Sequence, residues 1–293
     1  MCDGTFEMCP DTAYQLYTMH GFHHGESMPL VWALLPNKTT ATYVEMFTAV
    51  RDALVASFGD TGCSRTSLTD FETAAIKAVT IVFTEPVIKG CTFHFRQAVF
   101  RKVQSLGLKA NYEDKDNPVV RDWLRQLMSM SMLPVFAIPL LWNKLQYPPA
   151  TGDPITNHRL CELASYFGNT WVNGQEFTPT LWSHFDNLGP RTTNHVEGFH
   201  NSLNSTFGIP HPSLRSFMDW MQKAQFKVQC RIVQLDAGRK PKGRKPAYVT
   251  NDANLWAAKV QYGMQIASIF SCVFPHPHAL EQFYAASDNI IFI

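Results

Sequence analysis

Residues 191–204, RTTNHVEGFHNSLN, show a regular pattern of apolar and polar positions. The apolar positions recur every three or four residues, as they do on one face of an α-helix: Val196, Phe199, Leu203 and Phe207. Polar positions at the same spacing form a second face: Glu197, His200, Asn201 and Asn204. The pattern predicts a helix with one side in a core and a carboxylate on the other side.

The N-terminal third alternates strand-like and helical segments. Residues 1–36 read as three strands, rich in Thr, Tyr, Phe and Val and separated by Pro, Asp and Gly. Residues 41–58 have helical periodicity and end at Gly59. A strand at 65–69, a helix, a strand at 87–95 and a further helix follow. Three consecutive strands and then a β-α-β unit predict an α/β fold, in which helices pack on a mixed sheet.

Strand signals are missing from about residue 108 to residue 187, where helical segments are separated by prolines. We expect helix breaks at Pro134 and Pro139. A long helix is predicted at 213–235. The tail is predicted to pair a helix at 252–272 with a terminal strand, FYAASDNIIFI.

Composition limits the class of protein. With 45% hydrophobic residues, the chain of 293 residues can bury a large core. Its net charge of +1 means that any nucleic-acid surface must be a local patch. The most apolar run, residues 127–142, is too short to span a bilayer, so we expect no membrane partner. Seven cysteines and no secretory signal at the start favour reduced thiols inside the cell.

Three carboxylates stand out by their positions. Asp3 lies in the first predicted strand, and Asp70 lies where a strand gives way to a helix, at the end of a sheet where α/β sites form. Glu197 lies in the first turn of the later helix. If the three acids converge on one groove, they repel one another unless cations neutralise them, and carboxylates favour Mg²⁺ or Mn²⁺. A pair of such ions is suited to phosphoryl transfer on nucleic acid.

Each acid also has an ordinary explanation. Asp3 and Gly4 read as a turn pair. Thr69 with Glu72 has the spacing of a helix capping box, and so does Asn194 with the glutamate three residues later. These alternatives stay open at the level of the residues alone.

Four segments resemble the transposase domain of Mutator-like elements (MULE), a branch of the DDE transposases. They are DGTF (3–6), TDFETAAIKAV (69–79), GCTFHFRQAV (90–99) and RTTNHVEGFHNSLN (191–204). The resemblance runs to about residue 235. It implies a ribonuclease H-like mixed sheet flanked by helices, with Asp3, Asp70 and Glu197 as the catalytic, metal-binding triad.

The resemblance also assigns Cys91 and His94 to the family's Cys-x-x-His element, and it makes the helical stretch an insertion before the helix with the third acid. It implies four segments: 1–107, the first part of the core with Asp3 and Asp70; 108–187, the all-helical insertion; 188–236, the completion of the core with Glu197; and 237–293, a basic linker and C-terminal tail.

Cys91 and His94 are also half of a zinc site by spacing, and His158 with Cys161 supplies a second half. Together they could bind Zn²⁺ as a Cys₂His₂ set. The interpretation that we favour is a buried thiol and a hydrogen-bonded histidine near the active groove.

Candidate DNA contacts lie on the two late helices: His200, Asn201 and Asn204 on the first, and Lys223, Lys227 and Arg231 on the second. His200 could contact phosphate or metal, or only hydrogen-bond the polar face. The three cations repeat every four residues, as in a track for the DNA backbone or in a solvated helix face. The segment GRKPKGRKP (238–246) reads as a nuclear localisation or phosphate-binding segment, or as a hinge.

The activity implied by the resemblance is two-metal cleavage of transposon ends and strand transfer into target DNA. It implies two Mg²⁺ or Mn²⁺ ions, double-stranded DNA as the partner, and the nucleus as the compartment; a homo-oligomer is left open.

Two departures support the alternative, a catalytically inactive domesticated transposase that acts as a nuclear DNA-binding or chromatin protein. Asp3 lies almost at the first residue, and the zinc-finger region that usually precedes the domain is missing. A milder departure is Thr193–Asn194, which stands where the family often has an asparagine pair.

Overall fold

The structure is a computed structural model. It describes residues 1–59, 66–84, 86–187 and 189–273, with side chains described up to residue 264 in the last helix. The predicted terminal strand lies outside these residues. The chain divides into two compact units, Met1–Pro241 and a second that begins at Lys242.

The first three strands form an antiparallel sheet, as the strand-like segments predict. They are β1 (Cys2–Thr5), β2 (Gln15–His23) and β3 (Glu26–Leu35), in the order β1-β2-β3. The register places Asp3 opposite Thr18. Asp3 therefore lies within a paired strand.

Two parallel strands form the second sheet. β4 (Thr66–Thr69) pairs with β5 (Val87–Gly90), and α2 (Thr73–Val82) connects them. β1 contacts β4, which brings the two small sheets together. The α/β class is therefore confirmed, whereas the described strands form two small sheets in place of the single mixed sheet that the sequence predicts.

Helix α1 (Thr40–Phe58) packs with α2 over the sheets. It begins at an N-cap, Thr39, whose side chain accepts a hydrogen bond from the backbone of Thr42, and it ends at Gly59 in the left-handed conformation. The core beneath the two helices is built from the first sheet and both helices: Tyr17, Leu35, Tyr43, Phe47, Ala78 and Val79.

The strand predicted at residues 87–95 ends at Gly90, and α3 begins two residues later. Phe95, Val99 and Val103 are buried at helical spacing on α3. The strand prediction is therefore wrong for Cys91–Phe95, since this apolar run belongs to a buried helix face.

A helical region follows. Its elements are α3 (Thr92–Ser105), α4 (Lys109–Glu113), α5 (Val119–Ser129), α6 (Ile138–Leu145), α7 (Pro154–Phe167) and α8 (Pro179–Trp182), with 3₁₀ turns at Met130–Met132 and Val135–Ala137 and a π-helical turn at Gly168–Val172. All residues from 108 to 187 are described, and none forms a strand. Pro134 lies between helical pieces, as predicted. The break expected at Pro139 is wrong, because Pro139 lies in the first turn of α6, where proline costs no hydrogen bond.

One apolar cluster holds the helical region to α3. It combines the buried face of α3 with large side chains of the later helices: Trp123, Leu127, Trp142, Leu160, Phe167, Trp171 and Trp182. The buried face of α3 therefore packs against α5 and α7 of the helical region.

Helix α9 (Asn194–Phe207) and helix α10 (Leu214–Asp236) complete the first unit. The face assignment for α9 is confirmed at Val196 and Leu203, which are buried, whereas Phe199 and Phe207 are half-buried. The second unit contains α11 (Pro246–Val273), which begins before the helix predicted at 252–272. Among the described residues, no helix combines the length and the apolar character needed to cross a bilayer.

Candidate active site

Asp3 is held within β1. Its Oδ1 accepts a hydrogen bond from the backbone N–H of Gly4 at 2.8 Å, and its side chain is 12% exposed. Burial, the charge of Asp70 and, more weakly, the charge of Glu197 raise the pKa of Asp3 to about 7. The turn explanation does not apply, because Asp3 and Gly4 are both paired with β2.

Asp70 follows directly after β4. Its Oδ1 accepts a hydrogen bond from the backbone N–H of Glu72 at 3.3 Å. Glu72 is the N-cap of α2, and its side chain makes no capping hydrogen bond, so Thr69 and Glu72 do not form a capping box. Asp70 therefore lies at the carboxyl end of a strand that neighbours the strand of Asp3.

Glu197 lies in the first turn of α9. The N-cap of this helix is Thr193, which makes no side-chain capping bond, so the box proposed for Asn194 is also missing. The backbone N–H and the hydroxyl of Thr193 instead donate to Sγ of Cys91, at 3.3 and 3.4 Å. This contact fixes the start of α9 beside the start of α3.

His94 lies among the three acids. Its Nε2 is 3.4 Å from Oε1 of Glu197. Burial lowers the pKa of His94, but the hydrogen bond to Cys91 and the charges of Cys91, Asp3 and Asp70 outweigh burial and raise it to about 9. At neutral pH the ring is therefore a cation among carboxylates.

Cys91 is fully buried at the N-cap of α3. Burial raises the pKa of its thiol, but hydrogen bonds from His94 and Thr193 outweigh burial and lower it. Nδ1 of His94 has no partner of hydrogen-bonding geometry among the described residues. The ring of His94 therefore lies close enough to the thiol to affect its pKa, but the two groups do not have the geometry of a well-aligned hydrogen bond.

His200 faces inward. It is only 7% exposed, its Nε2 shares a hydrogen bond with the hydroxyl of Thr18 at 2.9 Å, and its Nδ1 is 3.9 Å from Oδ2 of Asp3. Burial lowers the pKa of His200 to about 4. The ring is buried and hydrogen-bonded to β2, as in the alternative of a hydrogen-bonded ring; the DNA contact at His200 stays a prediction.

The other predicted DNA contacts differ in exposure. Asn201, Lys223 and Lys227 are exposed. Asn204 is half-buried, and its Nδ2 donates to Oε2 of Glu7 at 3.3 Å. The DNA contacts at these four residues stay predictions.

Arg231 does not extend the lysine track. Its Nε donates to Oε1 of Glu26 at 3.0 Å and its Nη2 to Oε2 at 2.6 Å. Two parallel hydrogen bonds from one guanidinium to one carboxylate make a strong and well-oriented ion pair. This pair attaches α10 to the β2–β3 hairpin.

A cleft of about 370 Å³ opens beside Asp70. Asp70, Glu72 and His94 line it together with two cations that the sequence interpretation did not assign, Lys38 and Arg101. Arg101 lies two helical turns after His94 on α3, so helical spacing could have identified it. A larger groove between α1 and β3 holds none of the three acids.

The acid cluster has the chemistry of a divalent-cation site. Its donors are carboxylate oxygens. Burial first, and then the charge of Asp70, raise the pKa of Asp3, and the charges of Cys91, Asp3 and Asp70 help to raise that of His94, so a cation would offset negative charge here. Asp3, Asp70 and Glu197 do not each bring an oxygen within 4.8 Å of both others in this structure. In this structure the three carboxylates are therefore too far apart for all three to bind the same ion.

The Cys₂His₂ alternative lacks convergence, because Cys91, His94, His158 and Cys161 do not form a group of ligand atoms within that distance. His158 instead lies 3.5 Å from Glu162 on the exposed face of α7.

Residues 1–98 match the family model of the MULE transposase domain. The match confirms the resemblance to the Mutator-like transposase domain over this third of the chain, which contains Asp3, Asp70, Cys91 and His94. Glu197 lies outside it. No curated protein and no solved structure matches the chain.

Proposed function

We propose that this chain, whose residues 1–98 carry a MULE transposase domain, is a DDE transposase that cleaves transposon ends and joins them to target DNA. The observation that carries the proposal is the pKa of Asp3. Burial raises it, and the charges of Asp70 and Glu197 raise it further, so the three carboxylates share one electrostatic environment. A strongly perturbed carboxyl group next to a residue that lines a cleft, as Asp3 is next to Gly4, is typical of functional sites.

Asp3, Asp70 and Glu197 would hold the metal ions. When bound, two Mg²⁺ or Mn²⁺ ions would activate the attacking oxygen and stabilise the leaving oxygen of a phosphodiester. The proposed frame is the ribonuclease H-like core, with residues 108–187 as the insertion before α9.

Neighbouring backbone groups and side chains orient the acids. The N–H of Gly4 positions Asp3 through a hydrogen bond, and the ring of His200 packs near the same carboxylate, with Nδ1 3.9 Å from Oδ2. The N–H of Glu72 positions Asp70 in the same way. Protonated His94 keeps the carboxylates together while no other cation is present, because it offsets their mutual repulsion.

Double-stranded DNA is the proposed partner, and the nucleus the proposed compartment. Lys38 and Arg101 line the cleft and are placed to contact phosphates beside the acids. Lys223 and Lys227 are exposed on α10 and offer a second contact with the backbone. Binding through such cations weakens steeply with salt.

One observation favours a second function. The three carboxylates do not each bring an oxygen within 4.8 Å of both others, and a domesticated DNA-binding or chromatin protein that has lost catalysis would tolerate this arrangement. That function keeps DNA binding and lacks metal-dependent cleavage.

Nicking of supercoiled plasmid in Mg²⁺ or Mn²⁺, with DNA binding measured in parallel, distinguishes the two functions. The transposase should nick DNA, and Asp70→Asn and Glu197→Gln should each abolish nicking while DNA binding persists. Glu45→Gln, an exposed glutamate on α1, is the matched control and should nick normally. DNA binding without nicking in the unsubstituted chain supports the second function. Equal nicking by all four proteins contradicts the proposed role of the acids.

A further inference from the structure

The tip of the β2–β3 hairpin carries two adjacent histidines. His23 ends β2 and pairs with Glu26, and the two residues between them turn the chain. His24 and Gly25 both have positive φ, at 47° and 79°. This is the type I′ turn in which Asn-Gly is the common pair, so a histidine at the first position is unusual. The turn brings the two imidazoles to 4.5 Å between ring centroids.

Asp236, the last residue of α10, meets both rings. Nε2 of His23 donates to Oδ1 of Asp236 at 2.7 Å, and Nε2 of His24 lies 3.3 Å from the same oxygen. Within the part of the chain that the structure describes, this is the one group of three His, Cys, Asp or Glu side chains whose ligand atoms lie within 4.8 Å of one another. The three side chains are between 39% and 56% exposed, so an ion has access.

A separate contact holds the β2–β3 hairpin against α10. The bidentate pair between Arg231 and Glu26 joins α10 to the first residue of β3. It lies one to two helical turns before Asp236 and uses none of the three ligand side chains. The approach of Asp236 to the histidines therefore does not depend on their own hydrogen bonds.

We propose that His23, His24 and Asp236 bind a divalent transition-metal ion of the class that includes Zn²⁺. Two imidazole nitrogens and one carboxylate oxygen are donors that suit Zn²⁺, and the open side leaves a fourth position for water. Imidazole is a poor ligand for Mg²⁺, so this site would select a different ion from the acid cluster. The bound ion would attach the hairpin to the end of α10. The inference does not depend on the proposed transposase activity.

Zinc titration of the full chain by calorimetry tests the proposal, in buffer with excess Mg²⁺ to occupy the carboxylate cluster. The unsubstituted protein should bind Zn²⁺ at this site. His24→Gln and Asp236→Asn should each weaken that binding about 10-fold or more, since loss of even an outer-shell partner costs about 10- to 100-fold. Both substitutions are at exposed positions, and circular dichroism checks that the variants fold.

His158→Gln is the matched control. His158 is an exposed histidine beside a carboxylate, Glu162, without a third ligand in the described chain, so its loss should leave Zn²⁺ affinity unchanged. Electron paramagnetic resonance with Cu²⁺ as the probe should show coupling to two nitrogens, and to one nitrogen in His23→Gln. The proposal is overturned if the unsubstituted chain binds no Zn²⁺, or if His24→Gln binds it as tightly as the unsubstituted chain. Either result would mean that His23, His24 and Asp236 only hydrogen-bond to one another at the surface and bind no metal ion.

Discussion

Thr193 donates two hydrogen bonds to Sγ of Cys91, one from its backbone N–H at 3.3 Å and one from its hydroxyl at 3.4 Å. The two residues are far apart in the chain, and both are fully buried. Because Cys91 occupies the N-cap position of α3 and Thr193 that of α9, this contact holds the helix starts that carry His94 and Glu197 next to each other.

Cys91→Ala should destabilise the protein by about 1–3 kcal/mol, because it leaves the buried N–H and hydroxyl of Thr193 without an acceptor. Cys91→Ser keeps an acceptor and should lose less. The free energy of unfolding in urea measures both. Cys161→Ala, at an exposed cysteine, is the control, and a loss at Cys161 as large as that at Cys91 would contradict the role of the thiol.

Asp3→Asn should stabilise the metal-free protein above about pH 7. The folded pKa of Asp3 is raised from 3.8 to about 7, so its favourable contribution is complete below about pH 4 and is lost as pH rises through about 7. The difference from the unsubstituted chain should therefore grow with pH, to at most about 4 kcal/mol. Unfolding in EDTA measures it.

Asp11→Asn, at an exposed acid between β1 and β2, should show no such growth. A constant difference for Asp3→Asn between about pH 4 and about pH 8 would mean that Asp3 is ionised as easily in the folded state as in the unfolded chain.

His20 should make stability fall in mild acid. Burial first, and then the positive charges of the N-terminus, His200 and His195, lower its pKa from 6.5 to about 3. The stability from this group is complete above about pH 6.5 and is lost as pH falls toward about 3, because the unfolded chain then binds the proton. The loss between about pH 7 and about pH 5 should be about 2 kcal/mol.

His20→Gln should remove this part of the pH dependence, as measured by urea unfolding at both pH values. His158→Gln, at an exposed histidine, should keep the dependence of the unsubstituted chain. Identical slopes in all three proteins would show that His20 becomes protonated without cost in the folded state.

Gly90→Ala should destabilise the protein by about 1–3 kcal/mol through overpacking. A Cβ at this position would lie 2.4 Å from Cζ of Phe71, and that ring is enclosed by Trp171 and Phe177. Gly198→Ala in α9 meets no atom within 4 Å, so it should stabilise the helix by up to about 1 kcal/mol. Thermal unfolding compares the two, and the opposite order would contradict the packing at the end of β5.

Leu203→Ala should cost about 2–5 kcal/mol, because Leu203 is 1% exposed in the cluster between α9, α10 and the first sheet. Leu214→Ala, at a side chain that is 42% exposed, should cost less than about 1 kcal/mol. Equal losses in denaturant unfolding would show that α9 does not bury the face described.

Much of the arrangement around the acids follows from local patterns. Alternation and turn residues predict the strands of Asp3 and Asp70, and helical spacing predicts the inward position of Val196. A parallel strand followed by a helix also predicts that Asp70 lies at the end of a sheet.

Contacts between distant residues do not follow from local patterns. Helical spacing places His200 beside Glu197, but only the packing of α9 on β2 shows that the ring turns inward to Thr18. Arg231 fits a regular cationic track, yet its guanidinium pairs with Glu26 at the start of β3, far away in the sequence. A periodicity identifies the face of a helix and leaves the partner of that face undetermined.

The order of the acids along the chain has a consequence during protein synthesis. Asp3 and Asp70 leave the ribosome early, whereas Glu197 follows only after the whole helical region, which at about 5–20 residues per second takes on the order of ten seconds. A nascent chain that stops within the helical region holds two of the three carboxylates, and translation has to pass α9 before the third can join them.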